Sequence, residues 1–283
     1  MAAKRWTMDN KPSKMNHWEL SQLLTDYPRF EEECDWEKLN GLDWSSLLSC
    51  YPQYADRCDW EKLDGFAWGE MLHDQPQFAD KCPWEKLDKI NWCWLLIFQP
   101  QFADKCPWEK LNGLCWTLLL ESKPQFAEHC DWEKLTGWEW SRLLSSQPQF
   151  VDYCPLDKMD GGDWALILGN QPQLVDYCPL DKLDGGDWAG VLELQPQFVE
   201  KCPLEKLTGM DWEYLVYHRP QFSSLCDWSK LSGHDWYWLL KARPQFAEHC
   251  DWTKLDRNNW SDLLYYQPQF ADKCPWKDLT GKS

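Results

Sequence analysis

The chain has 283 residues, a formal net charge of −17, 23 tryptophans and 14 cysteines. An acidic surface of this kind repels phosphate groups, so binding to the phosphate backbone of nucleic acids is excluded. No segment approaches the length of a transmembrane helix, and we expect no membrane partner.

Residues 1–17 are expected to form an N-terminal tail or an irregular cap, and residues 18–283 a single array of repeats. The first repeat is irregular, because Trp18 and Leu20 replace its usual tryptophan and the charged segment 29–33 follows. The segment 1–6 lacks the apolar region of a secretory signal, and we therefore expect a cytoplasmic protein.

Cysteine recurs every 24 residues, at Cys34, Cys58, Cys82, Cys106, Cys130, Cys154, Cys178, Cys202, Cys226, Cys250 and Cys274. Numbering each repeat from its cysteine, leucine occupies position 6, tryptophan position 11 and proline position 19 in nearly every copy. Eighteen of the tryptophans fall at positions 3 and 11 alone. A fixed period in this range indicates a repeat solenoid.

The segment around positions 11 to 15 of a repeat is predicted to be an α-helix. Trp44, Leu47 and Leu48 are spaced i, i+3 and i+4, which gives one apolar stripe on a helix. Asp43 precedes this stripe and is predicted to be the N-cap.

This helix is predicted to be followed by a second short helix and then by a helical turn at the start of the next repeat. Pro52 ends the first helix and suits the first turn of the next, which runs to Cys58. Asp59 then starts a turn of the 3-10 kind, and Gly65 is predicted to close it in the left-handed conformation.

Helices this short are not stable alone and must stack on neighbouring repeats. The sequence therefore predicts an all-α, elongated solenoid of about eleven tandem 24-residue repeats, each with two short helices plus a helical turn. The last repeat is incomplete, since the chain stops at residues 279–281 just before a further helix. This ragged C-terminal end suggests a homo-oligomer contact or a fragment of a longer array.

The repeat resembles those of short-period α-solenoids, and most closely the leucine-rich-repeat-variant type. The resemblance covers the whole array and rests on the period and the alternation of helices. It implies stacked α- and 3-10 helices. The alternative is the β-lined horseshoe of true leucine-rich repeats, and the absence of their pattern L-x-x-L-x-L disfavours it.

The cysteine ladder is interpreted as a row of buried thiols that act as small apolar residues. Equivalent positions of adjacent helical layers should lie too far apart for disulfides. The sequence contains no C-x-x-C pair, and we expect no metal and no cofactor. Free thiols suit a reducing compartment. The recurrent Asp, Glu and Lys positions are expected to cap helices and to cover a solvated face.

Comparison of the copies separates constant from variable positions. Positions 11, 14 and 15 are constant and are predicted to face inward, whereas positions 12, 13, 16 and 17 are predicted to project outward. Loop position 9 varies as well. The predicted partner-binding residues form two aromatic groups, separated by a stretch rich in Gly, Ala and Ser. The first group is Trp94, Ile97, Phe98, Leu118 and Trp138, and the second is Met210, Tyr214, Tyr217, His218, Trp238, Tyr265 and Tyr266. Arg142 is also predicted to bind the partner.

Aromatic residues, Met and Arg are enriched at the energetic centres of protein interfaces. The sequence therefore predicts a non-catalytic scaffold that binds a protein or peptide partner through this outer face. Self-packing, carbohydrate binding, a purely structural acidic rod and mimicry of DNA are the alternatives. An enzyme is not expected, because the His, Cys and acidic residues show no nucleophile-and-base arrangement.

Overall fold

A computed structural model describes residues 34–276 together with Glu19, Leu23 and Glu31. The predictions for residues 1–17, for the irregular repeat at Trp18 and for the end at residues 279–281 lie outside this part. Every regular element within it is helical, and successive helices pack on one another in a repeated array. The prediction of an all-α tandem-repeat solenoid is confirmed.

The contacts divide the chain into two compact units, residues 1–135 and 136–283. The prediction of one single array from residue 18 to 283 stays a prediction. The α-helices of the first unit are α1 (Gly41–Cys50), α2 (Gly65–Asp74), α3 (Lys89–Phe98) and α4 (Gly113–Ser122). Its 3-10 helices are Trp36–Lys38, Pro52–Arg57, Trp60–Lys62, Pro76–Lys81, Trp84–Lys86, Pro100–Lys105, Trp108–Lys110, Pro124–His129 and Trp132–Lys134.

The second unit repeats the same order of elements. Its α-helices are α5 (Gly137–Ser146), α6 (Gly161–Asn170), α7 (Gly185–Leu194), α8 (Gly209–His218), α9 (Gly233–Ala242) and α10 (Arg257–Tyr266). Its 3-10 helices are Pro148–Tyr153, Leu156–Lys158, Pro172–Asp176, Leu180–Lys182, Pro196–Glu200, Leu204–Lys206, Pro220–Ser224, Trp228–Lys230, Pro244–His249, Trp252–Lys254 and Pro268–Lys273.

Each α-helix begins one turn earlier than the apolar stripe alone predicts. The N-cap of α1 is Asn40, whose side chain accepts a hydrogen bond from the Asp43 amide at 3.0 Å. The Asp43 carboxylate in turn accepts from the Asn40 amide at 3.0 Å. The prediction of Asp43 as the N-cap is therefore wrong. Asp43 is the third helical residue and the second partner of a capping box.

The prediction that Gly65 closes the helical turn in a left-handed conformation is also wrong. Gly65 is the first residue of α2 and follows its N-cap, Asp64. A Cβ atom at Gly65 would overlap the backbone carbonyl oxygen of Lys86 in the next repeat. Glycine at position 8 therefore serves close approach between repeats, not a positive φ.

Aromatic side chains fill the centre of each repeat. Trp60 stacks on Trp68 with ring centroids 5.4 Å apart, and the tilted Phe78 ring lies 5.4 Å from Trp60 on the centroid distance. The tryptophans at position 11 are at most 1% exposed in all ten α-helices described. The residues at positions 14 and 15 are buried too, except half-buried Leu264, so positions 11, 14 and 15 form the core stripe.

Within the units, polar side chains at positions 5 and 18 hold several repeats to the one before. The Lys86 ammonium at position 5 donates to the carbonyl oxygens of Glu61 and Leu63 at 3.2 and 3.0 Å. The Gln75 amide at position 18 donates to the Ser49 carbonyl at 2.6 Å. Lys86 lies on the exposed face and also connects two repeats. Its ammonium satisfies backbone acceptors that the 3-10 turn leaves open.

The cysteine ladder lies at the edge of the core. Six of the eleven ladder cysteines are buried, among them Cys82 at 7% exposure and Cys106 at 8%. The other five are half-buried. Burial raises the pKa of the Cys82 and Cys106 thiols to about 12. The thiols are thus protonated and poorly nucleophilic at neutral pH.

Candidate functional site

The outer face consists of positions 9, 13, 16 and 17 of the α-helices. In α3, Trp92 at position 11 is 0% exposed, whereas Trp94 at position 13 is 51% exposed. Two residues along a helix rotate the side chain by about 200°, which separates the core tryptophan from the outer one. The same helix therefore presents one tryptophan to the core and another to solvent.

Two predicted positions behave differently. Position 9 is not in a loop but is the second residue of the α-helix, as Ile90 in α3 shows with 53% exposure. Position 12 does not project outward, and that prediction is wrong. Cys93 and Thr117 at this position are 1% and 0% exposed. Position 12 faces the adjoining repeat, so its variation reflects packing between helices.

The first unit contains a groove of about 360 Å³ between α2 and α3. Its walls include two predicted residues, Trp94 and Phe98, whose rings stack with centroids 6.2 Å apart. The His73 ring meets Phe98 edge-on at 4.6 Å. The groove is lined by Phe66, Gly69, Glu70, His73, Ile90, Asn91, Trp94, Leu95 and Phe98. The structure thus joins aromatic residues of neighbouring repeats into one concave surface.

A second, more polar groove of about 200 Å³ adjoins the first. It lies between α1 and α2 and is lined by Leu42, Ser45, Ser46, Ser49, Phe66, Glu70 and Asp74. Phe66 and Glu70 line both grooves and therefore form the wall between them. The Asp74 carboxylate lies 2.7 Å from Nδ1 of His73. An apolar groove and an acidic groove are thus one repeat apart.

The candidate site residues missing from the prediction are those that shape the groove between α2 and α3. Phe66 is 56% exposed, and Ile90 faces it from the next repeat. Gly69 occupies position 12, where the other described α-helices carry a side chain. That single exception was visible in the sequence. Ile97 and Leu118, which were predicted, are only half-buried neighbours on the same face.

The second unit begins its outer face with two predicted residues on α5. Trp138 is 55% exposed, and the Arg142 guanidinium carbon lies 5.9 Å from the centre of its ring. The distance is within the range of a cation–π interaction. Exposed Leu166 on α6 and Leu194 on α7 follow. The stretch described as rich in small residues therefore carries two large apolar side chains.

On α8 the predicted residues Tyr214, Tyr217 and His218 form one cluster. The His218 ring lies 4.4 Å from the Tyr214 ring and 4.8 Å from the Tyr217 ring. Glu193 of α7 accepts a hydrogen bond from the Tyr214 hydroxyl and lies 3.4 Å from Nδ1 of His218. That hydrogen bond, with burial, raises the pKa of Tyr214 to about 12. Met210, at the beginning of α8, is 68% exposed.

Cations connect the aromatic residues of α9 and α10. The Lys241 ammonium lies 4.7 Å from the Trp238 ring and 3.9 Å from the Tyr266 ring. Tyr265 is 81% exposed and meets Tyr266 edge-on at 5.0 Å. The second predicted group is therefore one connected aromatic surface at its α9–α10 end.

A second cation, Arg243, follows α9 directly and contacts Tyr217 of α8. The Arg243 guanidinium carbon lies 5.7 Å from the Tyr217 ring, and Nη2 donates to the Tyr217 carbonyl at 2.9 Å. Arg243 occupies position 18, where Gln75 makes the equivalent bond in the first unit. Arg243 thus contacts the aromatic surface and also makes a hydrogen bond between two repeats.

Comparison with known proteins gives no assignment: no family model matches the chain, and neither curated proteins nor solved structures give a significant match. Within residues 34–276, no group of three His, Cys, Asp or Glu side chains could hold a metal ion. None of the helices described has the length and apolar character needed to cross a bilayer.

Proposed function

We propose that the chain is a non-catalytic repeat scaffold that binds a protein or peptide partner through the outer face of its α-helices. The observation that carries the proposal is the contrast between Trp92 and Trp94 within α3. One tryptophan is fully buried and the other is 51% exposed. The exposed one lines a groove with other aromatic residues. Exposed apolar surface grouped in this way is typical of interaction sites.

The distribution of exposed residues supports the same proposal. Large apolar side chains at the surface fall mostly at positions 9, 13, 16 and 17, for example Phe98, Tyr214 and Trp238. Rigid aromatic residues lose little conformational entropy on binding, which makes them effective anchors. Catalysis would need unlike reactive groups at one place, and the thiols of Cys82 and Cys106, with pKa values of about 12, are unsuited to nucleophilic chemistry.

The alternation of one α-helix with two 3-10 helices every 24 residues supports relating the repeat to the leucine-rich-repeat-variant type. A reducing compartment such as the cytoplasm fits a chain whose fourteen cysteines are free thiols. Both assignments belong to the proposal.

The test selects random short peptides, displayed on phage, against the immobilised full-length chain. We expect enriched peptides that bind the wild-type chain and bind about tenfold more weakly when outer aromatic residues are removed. One variant carries Trp94→Ser, and another carries Tyr214→Ser, Tyr217→Ser and Trp238→Ser. Fluorescence polarisation with the enriched peptides measures the affinities.

The matched control removes exposed aromatic residues that lie off the outer face. Tyr153 and Tyr177 are 57% and 41% exposed but lie at position 24, after the 19–23 segment of the repeat. Tyr153→Ser with Tyr177→Ser should leave the affinities unchanged. Enriched peptides that bind the outer-face variants as tightly as the wild type, or no enriched peptide at all, would overturn the proposal.

A further inference from the structure

The groove between α2 and α3 exists because of one residue. Position 12 faces the adjoining repeat, and Gly69 leaves it without a side chain in α2. A Cβ atom at Gly69 would meet only the Asn91 side chain, at 3.7 Å, which is ordinary contact. Leu95, 2% exposed, also lines the groove. The space is therefore open and mostly apolar.

The surroundings of this groove specify the charge of an occupant. Glu70 lines the apolar groove and also the adjoining groove, where Asp74 and three serines join it. The whole chain carries a net charge of −17. An acidic peptide would be repelled. A peptide with an apolar side chain and a nearby Lys or Arg could place the first in the apolar groove and the second beside the carboxylates.

The general packing distance of helices is matched by one extended conformation of an occupant. Packed helices lie about 8–10 Å apart, so grooves on consecutive repeats have about that separation. A polyproline II segment has three residues per turn and rises about 3.1 Å per residue. Side chains three residues apart then point to the same side about 9 Å apart. In a β-strand, residues three apart point to opposite sides.

From the two grooves, their charge and this packing distance we propose that the paired grooves of α1–α3 bind a partner segment in the polyproline II conformation, with a large apolar side chain and a Lys or Arg three residues apart. The apolar side chain enters the groove lined by Phe66, Ile90, Trp94 and Phe98. The basic side chain lies beside Glu70 and Asp74. Aromatic-lined grooves commonly receive segments of this conformation. The inference rests on the proposed function and names the partner chemistry for one part of the outer face.

The test uses four pools of displayed, proline-rich peptides on the immobilised full-length chain. The first pool fixes an apolar and a basic residue three positions apart. The second replaces the basic residue by Glu, the third replaces the apolar residue by Ala, and the fourth makes the two residues adjacent. We expect the first pool to be retained about tenfold more than each of the others.

Two variants of the chain test whether the retained peptides bind in the grooves. Gly69→Leu fills the apolar groove and should remove the advantage of the first pool. Because leucine favours a helix more than glycine does, the variant should be at least as stable as the wild type, which thermal unfolding checks. Glu70→Gln keeps the shape and should reduce the preference for the basic over the acidic pool several-fold. Gly69→Ala, which leaves most of the groove open, is the matched control.

Equal retention of the four pools, or an advantage of the first pool that survives Gly69→Leu, would overturn the inference. The random-peptide selection separates the two levels of the argument. If it yields peptides that depend on the outer aromatic residues while the four pools are retained equally, only the partner chemistry is wrong. If no peptide depends on the outer face in either experiment, the proposed function is wrong as well.

Discussion

At the scale of single residues, position in the repeat determines what a residue does more than its chemical type. Glycine shows this within α7. A Cβ atom at Gly185 would lie 2.6 Å from the Lys206 carbonyl oxygen, whereas one at Gly190 would meet no atom within 4 Å. The first glycine allows two repeats to approach, and the second only weakens a helix.

We therefore predict opposite effects of the same substitution at these two sites. Gly185→Ala should destabilise the fold by about 1–3 kcal/mol, because the added methyl group overlaps backbone atoms of the next repeat. Gly190→Ala should stabilise it by about 0.5–1 kcal/mol through helix propensity. Urea unfolding followed by circular dichroism measures both. Equal effects of the two substitutions would contradict this explanation of position 8.

At the scale of elements, the helices follow from the sequence, but their ends depend on interactions that the pattern does not show. The stripe of Trp44, Leu47 and Leu48 predicts α1 correctly. Its beginning was predicted wrongly, because Asn40 and Asp43 both suit an N-cap and only their reciprocal hydrogen bonds distinguish them. The role of Lys86 was missed because its acceptors are backbone atoms of another repeat.

Position 12 of α8 is Glu213, whose carboxyl group is partly buried. Burial, and secondly the charge of Asp235, raise the pKa of the Glu213 carboxyl to about 7. A folded-state pKa above the unfolded one means that the stabilising contribution is complete below about pH 4.5 and is lost as the pH rises through about 7. Ionisation of Glu213 should thus destabilise the fold at alkaline pH.

We predict that the wild-type chain loses roughly 1 kcal/mol of stability from this group between pH 5 and pH 8, after allowance for screening by solvent. Glu213→Gln should be more stable than the wild type at pH 8 and should lose part of the pH dependence. Urea unfolding at several pH values is the measurement. A Glu213→Gln profile identical to the wild type would contradict the assignment.

At the scale of the whole molecule, the 24-residue period predicts the repeat class and the division into constant and variable positions. Comparing the copies locates exposed residues such as Trp94 and Trp238, because the core repeats and the surface does not. The same comparison misplaces position 12, since packing between repeats also varies. The missing side chain of Gly69 at position 12 was visible in the sequence, but the size of the groove also depends on how closely α2 and α3 pack and could not be predicted.

The central claim is that repeat position separates residues that maintain the fold from residues left free to bind a partner. Trp92 and Trp94 test it within one helix, by urea unfolding of two single variants. We predict that Trp92→Ala costs about 3–5 kcal/mol, because it empties a core site. Trp94→Ala should cost about 1 kcal/mol, well below the loss at Trp92, because its side chain is half exposed. A loss of similar size in both variants would contradict the account, since Trp94 would then be a structural residue.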